Sequence, residues 1–241
     1  MRTDQVWQDR TLVNNFLTGV RGGIPFAIEQ INMALNVLEQ TGIPVHRVAD
    51  LGCGDGAIAQ AILHRYPNAE VTAIDFSQPM LDQAEHRLAP FGDRVRLLKA
   101  DLYTADWHSE LEPFDAIFSG YCIHHLPDDR KQALYREIYA LLHPGGCFLN
   151  IEHVASATPW VEELFNDRLI DALYQWNLTQ ADPLSRAEVA KRYVHRDDKA
   201  ANILAPVEQQ CDWLRAIGFQ HVDCYFKFLE LAVFGGVKPN A

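Results

Sequence analysis
Three glycines at alternate positions close an apolar run that carries one acid: Val48-Ala49-Asp50-Leu51-Gly52-Cys53-Gly54-Asp55-Gly56. The order reads as strand, tight turn, helix. Without a Cβ, glycine takes backbone angles closed to other residues and lets a ligand lie directly on the main chain. The helix opening near Ala57 turns its positive end toward the same spot. Gly52-x-Gly54-x-x-Ala57 also satisfies a relaxed dinucleotide fingerprint, so the stretch alone leaves the ligand open. Asp75 follows roughly twenty residues later at the end of an apolar run, where a carboxylate can accept hydrogen bonds from both ribose hydroxyls of a nucleoside. The alternative is that Asp75 caps the next helix, a task Ser77 performs equally well. A proton acceptor with a pKa near the working pH can come from His124, His125, Glu152 or His153, which fall just past later apolar runs. Cys122 and these four also offer metal-ligand atoms, but their spacings fit no recognised site and no metal is expected.

The 241 residues suffice for one well-cored α/β domain with an elaboration. No apolar run approaches the ~20 residues that span a bilayer, and the first residues lack a signal-peptide core, so a soluble cytoplasmic protein is expected. The five cysteines are odd in number and form no Cys-x-x-Cys pair, which points to reduced thiols rather than a disulfide framework. With 32 acids against 21 bases, the net charge of −11 opposes attraction to a phosphate backbone. A small-molecule acceptor is the better expectation than nucleic acid.

Strands that could carry the reactive positions are predicted at Val48 to Leu51, Glu70 to Asp75, Val95 to Leu102, Phe114 to Gly120 and Cys147 to Glu152. Helices between them are marked by Ile58 and Ile62, by Met80, Ala84 and Leu88, and by Leu134, Ile138 and Leu141. This alternation argues a doubly wound parallel sheet, with ligands beyond the strands' carboxyl ends. A last helix ends at Gly218, and the two runs beyond it lie too close for a helical crossover, so they should be antiparallel to each other. Ahead of the glycines, Ile24, Ile28, Ile31, Leu35 and Leu38 recur at helical spacing and predict a helix packed on the sheet. The glycine-rich bend from Phe16 to Pro25 either joins two helices or folds over a ligand.

In this order the motifs resemble the class I S-adenosylmethionine-dependent methyltransferases, from about Val45 to Val237. The resemblance rests on Val48 to Gly56, Ile74-Asp75, Ala100-Asp101-Leu102, the Phe114 to Ser119 strand running into His124-His125-Leu126, and Leu141-Leu142-His143-Pro144-Gly145-Gly146. It implies a seven-stranded sheet, mostly parallel with an antiparallel last strand (order 3-2-1-4-5-7-6), helices on both faces and a helical cap. It implies a single domain over 1–241, divided into an N-terminal helical segment (1–45), a cofactor-binding core (46–154), a cap (155–205) and a closing helix and strand pair (206–241). It further implies S-adenosylmethionine as cofactor and S-adenosylhomocysteine as product. Gly52 and Gly54, with Asp50 and Cys53 of the same loop, would pass under the methionyl part, and Asp75 would hold the ribose. Phe76 and Met80 would flank the adenine, Asp101 and Leu102 would read its edge, and Ser119 and Gly120 would lie near the sulfonium.

Methyl transfer from a sulfonium is an in-line displacement, so positioning and exclusion of water supply much of the rate and a base is needed only where the acceptor loses a proton. The expected function is therefore methylation of O, N or S on a small organic acceptor. The acceptor contacts are sought in Arg21 of the glycine-rich bend, in Tyr121, in Trp160 and Tyr174 of the aromatic insertion, and in Arg192 or Arg196 if the acceptor is acidic. Two other readings stand beside it. The tail resembles the enzymes that make carboxy-S-adenosylmethionine, and a non-catalytic cofactor-binding partner subunit has the same motifs. A homodimer is compatible with any of them.

Overall fold
The computed structural model describes Arg2, residues 4–194 and residues 201–240. Two helices, α1 (Arg10–Gly19) and α2 (Ala27–Gln40), lead into a repeating unit: β1 (Arg47–Leu51), α3 (Ala57–Arg65), β2 (Glu70–Asp75), α4 (Gln78–Leu88), β3 (Val95–Lys99), β4 (Phe114–Gly120), α5 (Asp128–Leu141) and β5 (Leu142–His153). The cap contributes α6 (Pro159–Asn177) and the short α7 (Arg186–Val189). After it come α8 (Val207–Ile217), β6 (Gln220–Phe228) and β7 (Leu231–Val237).

Val48, Ala49 and Leu51 are fully buried although alternate residues face opposite sides, a pattern expected of a parallel strand covered by helices on both faces. Accordingly β1 lies between β2 and β4, parallel to both. The sheet order is β3-β2-β1-β4-β5-β7-β6, with β7 antiparallel to its two neighbours. On one face Val48, Ala73, Phe118 and Leu149 pack beneath α2, α3 and α4. On the other, Ala49, Ile117, Phe148 and Phe234 meet α5 and α8. This two-sided burial anchors the strand ends that carry the reactive residues. Among the described residues no helix is long and apolar enough to cross a membrane.

Three expectations change. The third strand stops at Lys99, because Asp101 opens a turn whose carboxylate and carbonyl accept the amides of Tyr103 and Thr104. The fifth strand is longer than expected, since Leu142 already pairs with Phe114 ahead of an irregularity in the ladder. Only the later part of the predicted N-terminal apolar face reaches the sheet. Leu35 and Leu38 are buried there and Ile31 packs against the same cluster while also lining a cavity, whereas Ile28 is 72% exposed and, with Ile24, faces that cavity. Pro25 and a left-handed Phe26 delay the helix start to Ala27 and turn its first residues toward that cavity.

The inserted strand explains a glycine with no ligand near it. A Cβ on Gly235 of β7 would stand 2.0 Å from the Phe148 carbonyl oxygen of β5, an atom that cannot yield without breaking the ladder. Gly235→Ala is expected to cost about 3 kcal/mol of stability in urea unfolding. Gly42→Ala, at φ +69° with open space around it, should cost only the backbone penalty of about 1–2 kcal/mol. Equal losses at the two sites would contradict this packing.

Candidate active site
The glycine turn, the ends of β2 and β4, and the first residues of α2 enclose a cavity of about 310 Å³. Gly54 (φ +54°) forms part of its floor, and a side chain there would find nothing nearer than Met80 Sδ at 3.9 Å. Gly52 is tight for a different reason: the space its side chain would take is filled by Cys122, whose Sγ would lie 2.2 Å from an added Cβ. Asp75 is tied to this turn, accepting the Gly54 amide at 2.9 Å and the Ser77 amide at 2.8 Å. Ser77 itself caps α4 by accepting the Met80 amide. Burial pushes the Asp75 carboxyl up to about 6, against the pull of those amide donors.

Two further acids support the turn without lining the cavity. Asp50 lies beneath it with no exposed surface, one oxygen accepting the Ala59 amide at 3.0 Å and the other unpartnered. Burial raises its carboxyl to about 7. Asp55 joins Arg87 at 2.5 Å and Arg21 at 3.1 Å, so a cation from the N-terminal bend reaches over the loop. Arg21 also lines the cavity.

At the other end stand three histidines and two buried glutamates. Glu152 Oε1 lies 2.5 Å from His124 Nδ1, and the same carboxylate accepts the amides of His124 at 3.0 Å and His153 at 2.8 Å. Burial pushes Glu152 up to about 7, although the His153 amide and nearby cations, Lys131 among them, oppose the shift. His153 Nε2 lies 2.7 Å from Glu230 Oε2. His125 is committed to the protein at both nitrogens: Nδ1 donates to the Ala201 carbonyl at 3.1 Å, and Nε2 accepts from the Trp7 indole at 3.1 Å. That arrangement fixes a neutral ring, and burial drives its pKa down to about 3.

The N-terminal segment crosses the cavity's third side. Ser77 Oγ donates to the Trp7 carbonyl at 2.6 Å and Gln8 donates to the Phe76 carbonyl at 2.8 Å. Arg2 pairs with both oxygens of Asp101 and lies 4.4 Å over the Tyr103 ring and 5.8 Å from that of Phe76. Burial alone would raise the Asp101 carboxyl, but the Arg2 hydrogen bonds and the Tyr103 amide hold it below the usual range.

Residues 48–146 match the model of the family described as "Methyltransferase domain". That stretch and the seven-stranded order give the chain the fold of the class I S-adenosylmethionine-dependent methyltransferases. The carboxy-S-adenosyl-L-methionine synthase of a Nitratiruptor species is 24% identical over 233 residues, covering 95% of this chain and 92% of that protein. An uncharacterized methyltransferase of Mycobacterium bovis is 40% identical over 99 residues, 41% of this chain and 46% of the relative. Among solved structures, human N-acetylserotonin methyltransferase in complex with S-adenosylmethionine superposes with a TM-score of 0.63 at 15% identity, covering 100% of this chain and 59% of that one. The chain spans less than two thirds of the length of that structure.

The fold brings many of the sequence-derived positions to the cavity wall: Gly52, Cys53, Gly54, Asp75, Phe76, Met80, Gly120, Tyr121, His124 and His153. Others lie elsewhere. Ser119 is fully buried on the opposite side of its strand from the Gly120 wall, and Leu102 packs in the α5 side of the core while its carbonyl accepts from Arg130. Asp101 meets Arg2 instead of open space, and Glu152 stands behind His124. In the cap, Trp160 is 70% exposed and Tyr174 packs against the Leu173 and Val189 cluster, whereas Phe165 and Leu169 face the cavity. Arg192 is exposed and bonds Asn15; Arg196 lies outside the described residues. Trp7 and Glu230 escape the sequence reading, and Cys122 enters it only as a source of ligand atoms. Glu230 has one sequence cue, an acid alone between two apolar strands.

The buried Asp50 generates a pH prediction. From the unfolded value near 3.9 up to about 7, the folded chain keeps a proton that the unfolded chain releases, so stability falls as pH rises through that window. Asp50→Asn retains an acceptor for Ala59 and removes the charge. Its melting temperature should exceed wild type at pH 8, and the gain should vanish near pH 4. An equal gain at both pH values would contradict the assignment.

Proposed function
We propose that the chain transfers the methyl group of S-adenosylmethionine to an oxygen of a small organic acceptor, with His124 receiving the acceptor's proton. The observation that carries this reading is the buried Glu152 carboxylate on His124 Nδ1, at the cavity wall. A carboxylate there fixes the ring's tautomer and orientation and stabilises the imidazolium that forms when the other nitrogen takes a proton. Acceptors that attack through a neutral amine or a thiolate have less need of such a pair.

The cavity suits the cofactor. Asp75 presents a buried carboxylate where ribose hydroxyls can donate, Gly54 leaves open space above the main chain, and acids rather than phosphate-binding amides and lysines surround the turn, as a cationic sulfonium requires. Asp75, Gly54 and the flanking Phe76 and Met80 would hold it; when bound it supplies an electrophilic methyl group. Arg21 would face its methionyl carboxylate, exchanging part of its contact with Asp55. Arg2 would leave Asp101, or share it, when the adenine enters. The cap residues Phe165 and Leu169, with Ile28 of α2, would exclude water and select the acceptor.

The full-length likeness to carboxy-S-adenosyl-L-methionine synthases supports a second reading, in which a carboxylated cofactor is made and a cation faces the added carboxylate. Arg21 is the arginine available for that role among the described cavity residues. A mass spectrum of the nucleoside that co-purifies with the protein separates the two, since the carboxylated form would favour the second.

The methyl-transfer reading is tested by calorimetry and by release of adenosylhomocysteine with a panel of phenols. Asp75→Ala should lose about a hundredfold in adenosylhomocysteine affinity, the scale of charge-assisted hydrogen bonds to two hydroxyls. His124→Gln should keep that affinity and lose about a hundredfold or more in turnover. Turnover by the wild type should rise through pH 7 and level off, because the pair accepts a proton only after Glu152 has lost its own. A His124→Gln enzyme as fast as wild type would remove the base from the mechanism.

A further inference from the structure
We infer that the acceptor is lipophilic, with an apolar body that passes out of the cavity over Ile28 and Phe26 at the start of α2. The inference rests on the proposed methyl transfer in this cavity and names the class of its substrate. It does not depend on which acceptor atom takes the methyl group.

Ile24, Ile28, Ile31, Leu35 and Leu38 form one apolar stripe, but the sheet uses only part of it. Leu35 and Leu38 are buried, and Ile31 packs against the same cluster while lining the cavity. Ile28, one turn nearer the start of α2, belongs to the cavity wall and still keeps 72% of its surface exposed, which places it at the rim. Phe26 continues this surface outward at 46% exposure. Its ring is held by β6, with ring centres 4.9 Å from Phe228 and 6.1 Å from Phe226. Phe228 in turn pairs in register with Leu231 of β7, which lines the cavity. Apolar contacts therefore lead from Leu231 inside, through Phe228, to Phe26 outside.

A single exposed apolar residue needs no explanation. Here backbone strain accompanies the exposure. Phe26 adopts φ +56° and ψ +28°, left-handed angles that a bulky residue rarely takes and that glycine or asparagine meets with less strain. Such strain gathers at ligand sites, where the surrounding structure holds it in place. An aromatic ring at this position both strains the chain and leaves apolar surface in water, and a bound apolar group offsets the second cost. The inner wall has the same character: Phe165 and Leu169 of α6, Ile24 and Ile31 on either side of the start of α2, and Ile151 of β5 all line the cavity. An acceptor with an apolar body covers wall and rim together, whereas a compact polar one leaves both facing water.

The test is calorimetry with adenosylhomocysteine in excess, using para-methylphenol, para-pentylphenol and the two matching para-alkylanilines. The pentyl compound should bind about tenfold or more tighter than the methyl one, because each added methylene contributes up to about fourfold when buried. Ile28→Gln keeps a helix former at an exposed position, and Phe26→Asn keeps a residue that tolerates left-handed angles. Each should cut the pentyl-to-methyl ratio to about threefold or less. The ratio is taken within one protein, so a general loss of affinity does not move it. Phenols that bind without gain from the longer chain overturn the inference and leave oxygen methylation standing. A ratio as large in both variants as in wild type also overturns it, since the apolar body then lies elsewhere. Anilines that show the gain and its loss in the variants while phenols fail to bind support the inference and remove the phenolic oxygen. Protein that binds adenosylhomocysteine but neither series overturns the inference together with the phenolic acceptor.

Discussion
Glu152 ends the buried part of β5 with no accessible surface, and three donors from two segments of the chain converge on it: the His124 ring and amide from the turn after β4, and the His153 amide from its own strand. A carboxylate left without partners at that depth would be expensive, and one fully engaged orders everything it touches. The turn after β4 is held by further bonds as well. Tyr121 sits there in a left-handed conformation (φ +53°), held by its amide on Ile151 and its hydroxyl on Gln30 of α2. That strain is retained because the surrounding bonds over-determine it, as is usual where a backbone aims side chains at a cavity.

Lys131 extends the same logic outward. Its ammonium is buried, bonded to Asp128 at 2.6 Å and to the Ile203 carbonyl, and Ile203 in turn donates to the His124 carbonyl at 2.7 Å. The segment after the cap is thereby docked against the histidine turn, and its Ala201 carbonyl fixes the tautomer of His125. The N-terminal segment reaches the same ring through Trp7. Cap and N-terminus thus close on the carboxyl ends of the strands from two sides.

Elements with strong periodicity were legible without coordinates. The alternation of β1 to β5 with helices, the antiparallel closing pair and the placement of Gly54 and Asp75 all follow from apolar period and strand-end position. Side-chain direction was less accessible. Ser119 and Gly120 are adjacent, yet only Gly120 reaches the cavity, because strand neighbours face opposite sides and nothing local says which is which. Trp160 and Phe165 share one helix and meet solvent and cavity respectively, a choice made by how α6 docks. The pairing of Arg2 with Asp101 joins positions 99 residues apart and leaves no trace in local pattern.

The measurement that bears most directly on this account is the pH–rate profile of Glu152→Gln beside wild type, with adenosylhomocysteine affinity measured on both. Glutamine removes the charge that steadies a protonated His124 and keeps an acceptor for one of the two backbone amides, which donate to different oxygens of Glu152. Expected are unchanged cofactor affinity, turnover lower by about a hundredfold or more, and loss of the rise through pH 7. Full turnover with the wild-type profile would contradict it, and would reduce the Glu152–His124 contact to a packing feature.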